Sequence, residues 1–287
     1  MNRIAVVYLS YVPFGIQYLI NFIDSYRNKV SGESHELIIL FNGFLSQSEL
    51  IPFFEILNKF EISCQAIETN SRFDIDAYFY VASKLNKFES LLFFNTYSII
   101  QNNNWLSFFY RNLNKKSVGC VSASGTWGDN SHLVDYKLSI KKILSFKFDL
   151  KDIKKAIFFR FNFYPQVKSH LRTNAFMIRR DLFLSTYKPK VRPIFLSFIF
   201  GLNDKKISSF CFEHGNNSFS NQLLNRGFQL LVVDKYGIGH DIHNWKSSET
   251  FWIGSQKNLL IHDNQTLKYE LSNSEIKRKL TYAAWGN

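Results

Sequence analysis

The run Leu91-Leu92-Phe93-Phe94-Asn95-Thr96-Tyr97-Ser98 begins apolar and then changes abruptly to polar residues. A short apolar run that ends in turn-forming residues is typical of a buried strand in a parallel sheet. Open α/β folds place their ligands beyond the carboxyl ends of such strands. The sequence therefore predicts that the functional site gathers near Asn95.

Similar apolar runs recur along the chain and alternate with segments of helical spacing. Strands that alternate with helices at this pitch predict an α/β fold with a doubly wound, mainly parallel sheet. The predicted strands are 4–9, 37–41, 62–68, 90–95, 118–123, 174–178 and 230–233.

The pattern changes between residues 129 and 168, where lysines alternate with Leu, Ile and Phe. This composition predicts a helical basic insertion with its charge on one side. We therefore divide the chain into 1–128, 129–168 and 169–287. The three parts are expected to form a single domain, because 287 residues with 46% hydrophobic content suffice for one large core and a lobed end.

The formal net charge of +12 suits an anionic partner such as a phosphosugar, a lipid headgroup surface or nucleic acid. The alternative is that the lysines only solvate the surface. The three cysteines, Cys64, Cys120 and Cys211, have neither metal-ligand spacing nor a C-x-x-C pair, which favours a reducing cytoplasm. No apolar run approaches the ~18–20 residues of a spanning helix, so we expect a soluble or peripheral protein.

Several common catalytic motifs are absent from the sequence. There is no G-x-G-x-x-G, no G-x-x-x-x-G-K-[ST], no G-x-S-x-G and no H-E-x-x-H. Dinucleotide binding, P-loop hydrolysis, serine hydrolysis and zinc protease chemistry therefore lack support. A nucleic-acid binding module is disfavoured, because the basic insertion carries no recognisable RNA- or DNA-binding signature.

A series of strand ends and turns resembles the successive landmarks of bacterial glycosyltransferases with the glycosyltransferase A fold. The series consists of the first strand with its loop, Asn42-Gly43, Asn95-Thr96-Tyr97, Asn174-Ala175-Phe176-Met177-Ile178 and Phe212-Glu213-His214-Gly215. This resemblance covers most of the chain, and it implies a glycosyltransferase A-like, Rossmann-like sheet. It also implies a transferase with a donor-binding half in 1–128 and an acceptor-side half in 169–287.

The activity that the resemblance implies is transfer of a sugar from a phosphate-activated donor to a glycan. The donor is a nucleotide sugar or phosphoribosyl pyrophosphate, and the acceptor is a surface polysaccharide such as O-antigen or capsule, or its lipid-linked precursor. A catalytically inactive glycosyltransferase-like partner protein is the alternative. Because lipid-linked acceptors lie at the membrane, we expect salt-sensitive peripheral attachment to the cytoplasmic face through the basic insertion.

The resemblance also implies roles for individual residues. Tyr11 and Asn42 match the positions that contact the nucleotide base and ribose, and Asn95 and Tyr97 match the motif that binds metal and diphosphate. Glu213 matches the acidic position on the acceptor side. At the metal motif the family usually has an acidic D-x-D, whereas this chain has an amide and a phenol, which cannot supply the charge that Mg²⁺ or Mn²⁺ requires.

Two outcomes of this departure are open. Either Arg and Lys with helix N-terminal amides neutralise the donor phosphates, or Asp74 and Asp76 supply the carboxylates. Asp74 and Asp76 are also candidate catalytic residues, because a retaining mechanism would use one of them as its carboxylate. The alternative for both aspartates is that they favour the first turn of a helix and cap it. Arg172 and Asn174 open a predicted strand, from which an arginine can clamp phosphate, although a surface ion pair explains Arg172 equally well.

Glu213 lies between Phe210-Cys211-Phe212 and His214-Gly215, which predicts a strand end beside a turn. A partly desolvated carboxylate there has a raised pKa and can accept the proton of an attacking hydroxyl. The alternative is a structural ion pair with Arg172 or Arg179. His214 is a second candidate for the base, with a hydrogen-bonded scaffold histidine as its alternative.

Overall fold

The computed structural model describes residues 3–71, 73–128, 139–147, 149–162, 169–187 and 205–286. Within these ranges the strands, in chain order, are β1 Ile4–Tyr11, β2 Glu36–Asn42, β3 Gln65–Thr69, β4 Ser90–Phe94, β5 Ile99–Ile100, β6 Val118–Ser122, β7 Gly125–Thr126, β8 His170–Leu171, β9 Ala175–Arg179, β10 Gln229–Val233, β11 Gly239–His240 and β12 Ile261–His262. The helices are α1 Gln17–Asn28, α2 Ile51–Lys59, α3 Asp74–Lys84, α4 Trp105–Leu113, α5 Leu150–Asn162, α6 Arg180–Leu184, α7 Lys205–His214, α8 Phe219–Leu224, α9 Asn264–Leu271 and α10 Ser274–Trp285.

The main sheet has the strand order β11-β10-β6-β9-β4-β1-β2-β3 in the described chain. Strands β4, β1, β2 and β3 run parallel to one another, and β6 runs parallel to β10. Strand β9 separates these two groups and pairs antiparallel with both β4 and β6. The sheet is therefore mainly parallel, as predicted, with a late strand inserted antiparallel near its centre.

Helices cover both faces of this sheet, which confirms the doubly wound α/β prediction. One apolar layer contains Phe22 of α1, Phe53 of α2 and Trp105 of α4. The opposite layer contains Tyr78 of α3 and Phe183 of α6. Burial of each such side chain contributes about 1.5–3 kcal/mol to the free energy of folding. Packing of the two layers against the sheet holds the strands in place, and with them the polar strand ends that meet at one edge.

The basic segment is described in part. Residues 150–162 form α5, as the predicted helical insertion requires, whereas 129–138 and 163–168 lie outside the described residues. The apolar stretch 193–202 also lies outside them. The boundaries of the three sequence segments stay a prediction. Among the described residues, no helix is both long enough and apolar enough to cross a membrane.

The predicted strand end at Glu213 is wrong. Residues 205–214 form α7, and the Gly215 amide donates to the Cys211 carbonyl at 2.9 Å where the helix ends. A short apolar run such as Phe210-Cys211-Phe212 does not distinguish a buried strand from a buried helical turn. Glu213 therefore reaches the site from the last turn of a helix.

Candidate active site

A cleft of about 410 Å³ opens beyond the carboxyl end of β4. Its walls come from the β4–β5 turn, the segment 170–174, the end of α7 and the C-terminal part of the chain. The residues that line it are Asp74, Asn95, Tyr97, Thr126, Gly128, His170, Leu171, Arg172, Thr173, Asn174, Glu213, His214, Phe251, Trp252, Asn264, Gln265, Ala283 and Ala284. Most of the predicted site residues thus lie together in one cavity.

Glu213 is held in this cleft by Thr173. The buried Thr173 hydroxyl donates a hydrogen bond to Glu213 Oε1. Burial raises the pKa of Glu213, and the Thr173 hydrogen bond and the nearby Arg172 charge lower it in part. The Glu213 side chain still keeps 29% of its surface exposed, so a substrate hydroxyl can reach it. A reachable carboxylate with a raised pKa has the properties of a general base.

His214 contacts a second histidine rather than Glu213. Its Nδ1 lies 2.8 Å from Nε2 of His170, and the two rings meet edge to face. Only one proton fits between two nitrogens at this distance, so one of the rings must present a lone pair to the other. His214 Nε2 lies 4.0 Å from Glu213 Oε2, which is too far for a direct hydrogen bond. The pairing supports a positioned histidine beside the carboxylate, and a role for His214 as the base stays a prediction.

Arg172 is paired with a buried aspartate. Its Nη2 donates to Asp263 Oδ2 at 2.7 Å, its Nη1 donates to Ser124 Oγ at 3.2 Å, and the guanidinium lies 4.1 Å from the ring centre of Phe251. Asp263 in turn caps α9 through the amides of Gln265 and Thr266. The ion pair is therefore buried rather than on the surface, and it ties the C-terminal helices to the cleft wall. The guanidinium has five N–H donors, of which these bonds use two, so the phosphate-binding role of Arg172 stays a prediction.

The structural alternative for Glu213, an ion pair with Arg172 or Arg179, is not what the described residues form. Arg172 donates to Asp263, and Arg179 donates to the backbone carbonyls of Leu113 and Val118. The Glu213 carboxylate therefore accepts from the Thr173 hydroxyl, lies 4.0 Å from His214 Nε2 and lines the cleft.

Asn95 and Asn174 join the two sides of the cleft floor. The Asn95 amide donates to the Asn174 carbonyl at 2.8 Å, and Asn95 Oδ1 accepts from the Tyr97 amide at 3.1 Å and from Ser98 Oγ at 3.0 Å. Asn174 Oδ1 accepts from Ser124 Oγ, whereas its buried Nδ2 has no hydrogen-bond partner among the described residues. Asn95 therefore builds a turn, and Asn174, which lines the cleft, keeps a buried side-chain nitrogen without a partner in the described chain.

Tyr11 and Asn42 are neighbours at the ends of β1 and β2, outside the cleft lining. The Asn42 side chain is 1% exposed, and neither of its amide atoms has a hydrogen-bond partner within the described chain. The Tyr11 ring lies against Gly43, where a Cβ would overlap it. The Tyr11 amide donates to Thr96 Oγ1 at 3.2 Å, which links this pair to the β4–β5 turn.

The two aspartates of α3 are separated by the structure. Asp74 lines the cleft, and its Oδ1 accepts from the Ile75 amide at 2.8 Å, whereas Asp76 is not among the cleft-lining residues. The pKa of Tyr78 is raised by burial and then by the charges of Asp74 and Glu213, which places both carboxylates near that phenol. Asp74 is thus the second carboxylate of the cleft.

The residues at the β4 end do not fit a divalent metal. Asn95 Oδ1 already accepts two hydrogen bonds, and burial raises the pKa of Tyr97, which keeps this phenol protonated at neutral pH. Neither group supplies the negative oxygen ligand that Mg²⁺ or Mn²⁺ prefers. Across the described ranges no group of three or more His, Cys, Asp or Glu side chains could hold a metal ion.

Sequence reasoning did not identify the roles of Thr173, Phe251 and Trp252. Thr173 lies between Arg172 and Asn174, which the sequence does indicate as candidates. The type of residue does not show that its hydroxyl bonds to Glu213. Phe251 and Trp252 stack with their ring centres 4.6 Å apart and line the cleft. An adjacent aromatic pair in an otherwise polar tail is the signal that would have found them.

Comparisons with known proteins give partial likeness of fold. The chain is similar to the mannosyltransferase PcManGT from Pyrobaculum calidifontis, with TM-score 0.34, 14% identity and coverage of 42% of this chain and 34% of that chain. It is similar to glucosyl-3-phosphoglycerate synthase from Mycobacterium tuberculosis, with TM-score 0.38, 13% identity and coverage of 72% and 66%. It is also similar to 4-diphosphocytidyl-2C-methyl-D-erythritolsynthase from Anaerococcus prevotii, with TM-score 0.44, 11% identity and coverage of 81% and 86%.

This chain spans about a third of the length of the mannosyltransferase. The first two structures were determined with Mn²⁺ and with GDP-mannose or UDP, respectively. No protein-family model and no curated protein matches the chain. Because all three TM-scores lie below 0.5, the functional proposal rests on the cleft itself.

Proposed function

We propose that the protein is a glycosyltransferase that moves a sugar from a phosphate-activated donor to an acceptor hydroxyl in the cleft. The observation that carries this proposal is Glu213, a reachable carboxylate whose pKa is raised by burial and which Thr173 holds at the carboxyl edge of a mainly parallel sheet. This edge is where open α/β folds bind their ligands.

In the proposed reaction, Glu213 removes the proton of the acceptor hydroxyl. The acceptor oxygen forms a bond to the anomeric carbon of the donor sugar. The bond from that carbon to the phosphate oxygen breaks, and the phosphate leaves with the electron pair. General-base catalysis of this kind contributes about 10²–10⁴-fold to the rate. His214, which His170 holds in place, lies 4.0 Å from Glu213, so a positive charge on His214 would stabilise the ionised carboxylate.

For the donor, we propose that the nucleoside or ribose part lies near Tyr11 and Asn42. Burying an amide with no hydrogen-bond partner costs about 1–3 kcal/mol, and a ligand that pairs with it removes this cost. Both polar atoms of the Asn42 amide lack partners in the described chain, and because the residue is 1% exposed, a ligand that pairs with them must displace the side chains that cover them. We propose a nucleotide sugar as the donor, with phosphoribosyl pyrophosphate as the second choice.

The proposed arrangement places the donor phosphates between Tyr11 and the cleft, near Asn95, Tyr97 and Asn174. The unsatisfied Nδ2 of Asn174 is one donor for a phosphate or sugar oxygen. No step in this mechanism depends on a divalent ion, since the groups at the β4 end do not fit one.

For the acceptor, we propose a surface polysaccharide or its lipid-linked precursor, reached by peripheral attachment to the cytoplasmic face of the membrane. The described residues 139–147 and 149–150 support this placement, because the exposed Lys141, Lys142 and Lys147 are close in sequence to exposed apolar side chains. Leu144 is 74% exposed, Phe146 is 90% exposed and Leu150 is 60% exposed. Cations mixed with exposed Leu and Phe suit an anionic bilayer surface. Flotation with anionic liposomes at low but not high salt is the expected result.

The decisive experiment incubates the protein with nucleotide sugars or phosphoribosyl pyrophosphate and short synthetic glycan acceptors. We expect a mass increment of one sugar on the acceptor, absent with Glu213→Gln. A thermal shift with a donor but no increment with any acceptor would favour an inactive glycosyltransferase-like protein. The absence of both would contradict the proposed function.

A further inference from the structure

A second cavity, of about 480 Å³, lies beside the cleft between α1 and α9. Its near wall contains Tyr18 of α1 and Ile99 of β5, and its far wall contains Leu267 and Leu271 of α9. We name this cavity the α1–α9 groove. It has the size of an ordinary ligand site.

The groove and the cleft share a boundary. Tyr97 and Asn264 line both cavities, so a molecule in one can extend past these two side chains into the other. The Tyr97 ring meets the Tyr18 ring edge to face at 5.0 Å, which forms an aromatic wall that begins at the cleft and continues into the groove.

The opposite wall of the groove is aliphatic. Leu267 and Leu271 lie one helical turn apart on α9, and so point to the same side of the helix. Their exposed fractions are 46% and 78%. Leucine side chains left in water beside an aromatic wall are unfavourable, and an apolar ligand that covers them removes apolar surface from water.

Polar residues also line the groove: Asn21 of α1, Thr96, Gln101 and His262 of β12, besides Asn264, Lys268 and Glu270 of α9. Lys268 is exposed, and Glu270 pairs with His262 at 3.2 Å. A cation next to an apolar groove suits an amphipathic molecule whose hydrocarbon chain is covered while its charged or hydroxylated part stays near water.

We propose that the α1–α9 groove binds the hydrocarbon chain of an amphipathic acceptor, with the hydroxyl-bearing head in the cleft. The inference rests on the proposed function and adds the chemical class of the acceptor's aglycone. A hydrocarbon chain fits better than a further sugar, because Tyr18, Ile99 and the two leucines offer an apolar surface, whereas sugar hydroxyls need hydrogen-bond partners along their whole length.

The first test measures binding without catalysis. Dodecyl maltoside below its micelle concentration and free maltose are titrated into the full chain by calorimetry. We expect saturable binding of dodecyl maltoside at one site and at least tenfold weaker binding of maltose. In Leu267→Glu, which places a charge on the groove wall, affinity for dodecyl maltoside should fall about tenfold or more.

Ile276→Glu is the matched control. Ile276 lies on α10 with 40% exposure, close to that of Leu267, and is not among the groove-lining residues. This variant should bind dodecyl maltoside as the wild type does, and melting curves of both variants show whether the fold is intact. Equal affinity in Leu267→Glu and wild type, equal binding of maltose, or no binding of dodecyl maltoside would each overturn the inference.

The second test separates the inference from the proposed function. Alkyl glycosides of increasing chain length serve as acceptors in the transfer assay. KM should fall with chain length in wild type and stay flat in Leu267→Glu. Transfer with no dependence on chain length would overturn the groove inference and leave the glycosyltransferase proposal standing. Alkyl binding at Leu267 with no transfer to any acceptor would support the groove and contradict the proposed function.

Discussion

The two sides of the cleft use their polar side chains differently. On the side formed by 170–174 and 213–214, side chains bond to other side chains: Thr173 to Glu213, and His170 to His214. On the side formed by 95–98, the side chains bond within the turn and to the backbone of neighbouring strands: Asn95 Oδ1 accepts from the Tyr97 amide and from Ser98, and Thr96 Oγ1 donates to the Leu9 carbonyl. We refer to these as the Glu213 side and the Asn95 side.

This difference shows that a position near a strand end does not by itself give a residue a catalytic role. The Glu213 side keeps a carboxylate with a raised pKa reachable from the cleft, at a cost of charge burial. The Asn95 side uses its amide to shape the loop. Substitutions on the first side should therefore change turnover, and substitutions on the second should change stability.

The largest effect is expected at Glu213. Glu213→Gln keeps the size of the side chain but cannot take up the acceptor proton, so kcat should fall about 100-fold or more. Because the folded pKa is raised, the folded protein holds the carboxyl proton more tightly than the unfolded chain. Ionised Glu213 therefore lowers stability as pH rises from the ordinary value of 4.5 through the raised pKa. At neutral pH, urea unfolding of Glu213→Gln should show a free energy of unfolding at or above that of wild type.

Glu275→Gln is the matched control for this substitution. Glu275 is exposed on α10, where it pairs with Lys279, and does not line the cleft. Its turnover should stay within twofold of wild type. Full activity in Glu213→Gln, or a lowered melting temperature that accounts for the loss, would remove the distinction between the two sides.

The next effect is expected at Asn95. Asn95→Ala removes the acceptor for the Tyr97 amide and Ser98 Oγ, and an unpaired polar group in this half-buried turn should lower the free energy of unfolding by about 1–3 kcal/mol. Asn95→Asp keeps the acceptor oxygen and should lose much less. Urea denaturation of both variants is the measurement. Unchanged stability in Asn95→Ala would contradict the structural role of this side chain, and a loss of donor affinity alone would show that it acts only through the donor phosphates that we place near it.

A smaller effect, visible mainly in the pH profile, is expected at Thr173. Its hydroxyl lowers the pKa of Glu213 by bonding the charged carboxylate, so Thr173→Val should raise that pKa further. Since the base works when ionised, the acid limb of kcat/KM should move to higher pH. At a fixed pH on that limb, the rate should fall by about tenfold for every pH unit by which the limb moves. Thr173→Ser should restore the wild-type profile, and a Thr173→Val profile with an unmoved acid limb would show that the hydrogen bond is structural only.

The smallest and most selective effect compares two aspartates of the same helix. Asp74 lines the cleft and Asp76 does not, so Asp74→Asn should lower kcat/KM several-fold, and Asp76→Asn should leave it within about twofold. Both are measured at saturating donor in the transfer assay. A larger loss for Asp76→Asn than for Asp74→Asn would show that the cleft is not where the reaction takes place.

Much of the fold was predictable from hydrophobic patterning. The runs at 4–9, 37–41, 90–95 and 118–123 are strands of the main sheet, because each is a short apolar run bounded by turn residues. The antiparallel direction of β9 was not predictable, since an apolar strand buried on both faces reads the same in either direction. The helix at 205–214 was not predictable, because the short apolar run Phe210-Cys211-Phe212 is compatible with both a strand and a helical turn.

The site was predictable as a set of positions and less so as a set of contacts. Asn95, Tyr97, Arg172, Asn174, Glu213 and His214 do lie around one cleft, because strand and helix ends converge at that edge of the sheet. The Thr173–Glu213 and Arg172–Asp263 partnerships join residues 40 and 91 positions apart. No local pattern encodes such pairings, since they depend on how distant elements pack.

The central position of β9 has a consequence for how the protein is made. Strands β4 and β6 are synthesised by residue 122, but the strand between them comes from Ala175–Arg179. At about 5–20 residues per second, translation leaves this slot open for seconds. During that time the edges of β4 and β6 that later pair with β9 lack this partner, and unpaired strand edges can pair wrongly with other chains. A segment ending at residue 128 lacks β9, which pairs with both β4 and β6, so we expect that it does not form this sheet alone.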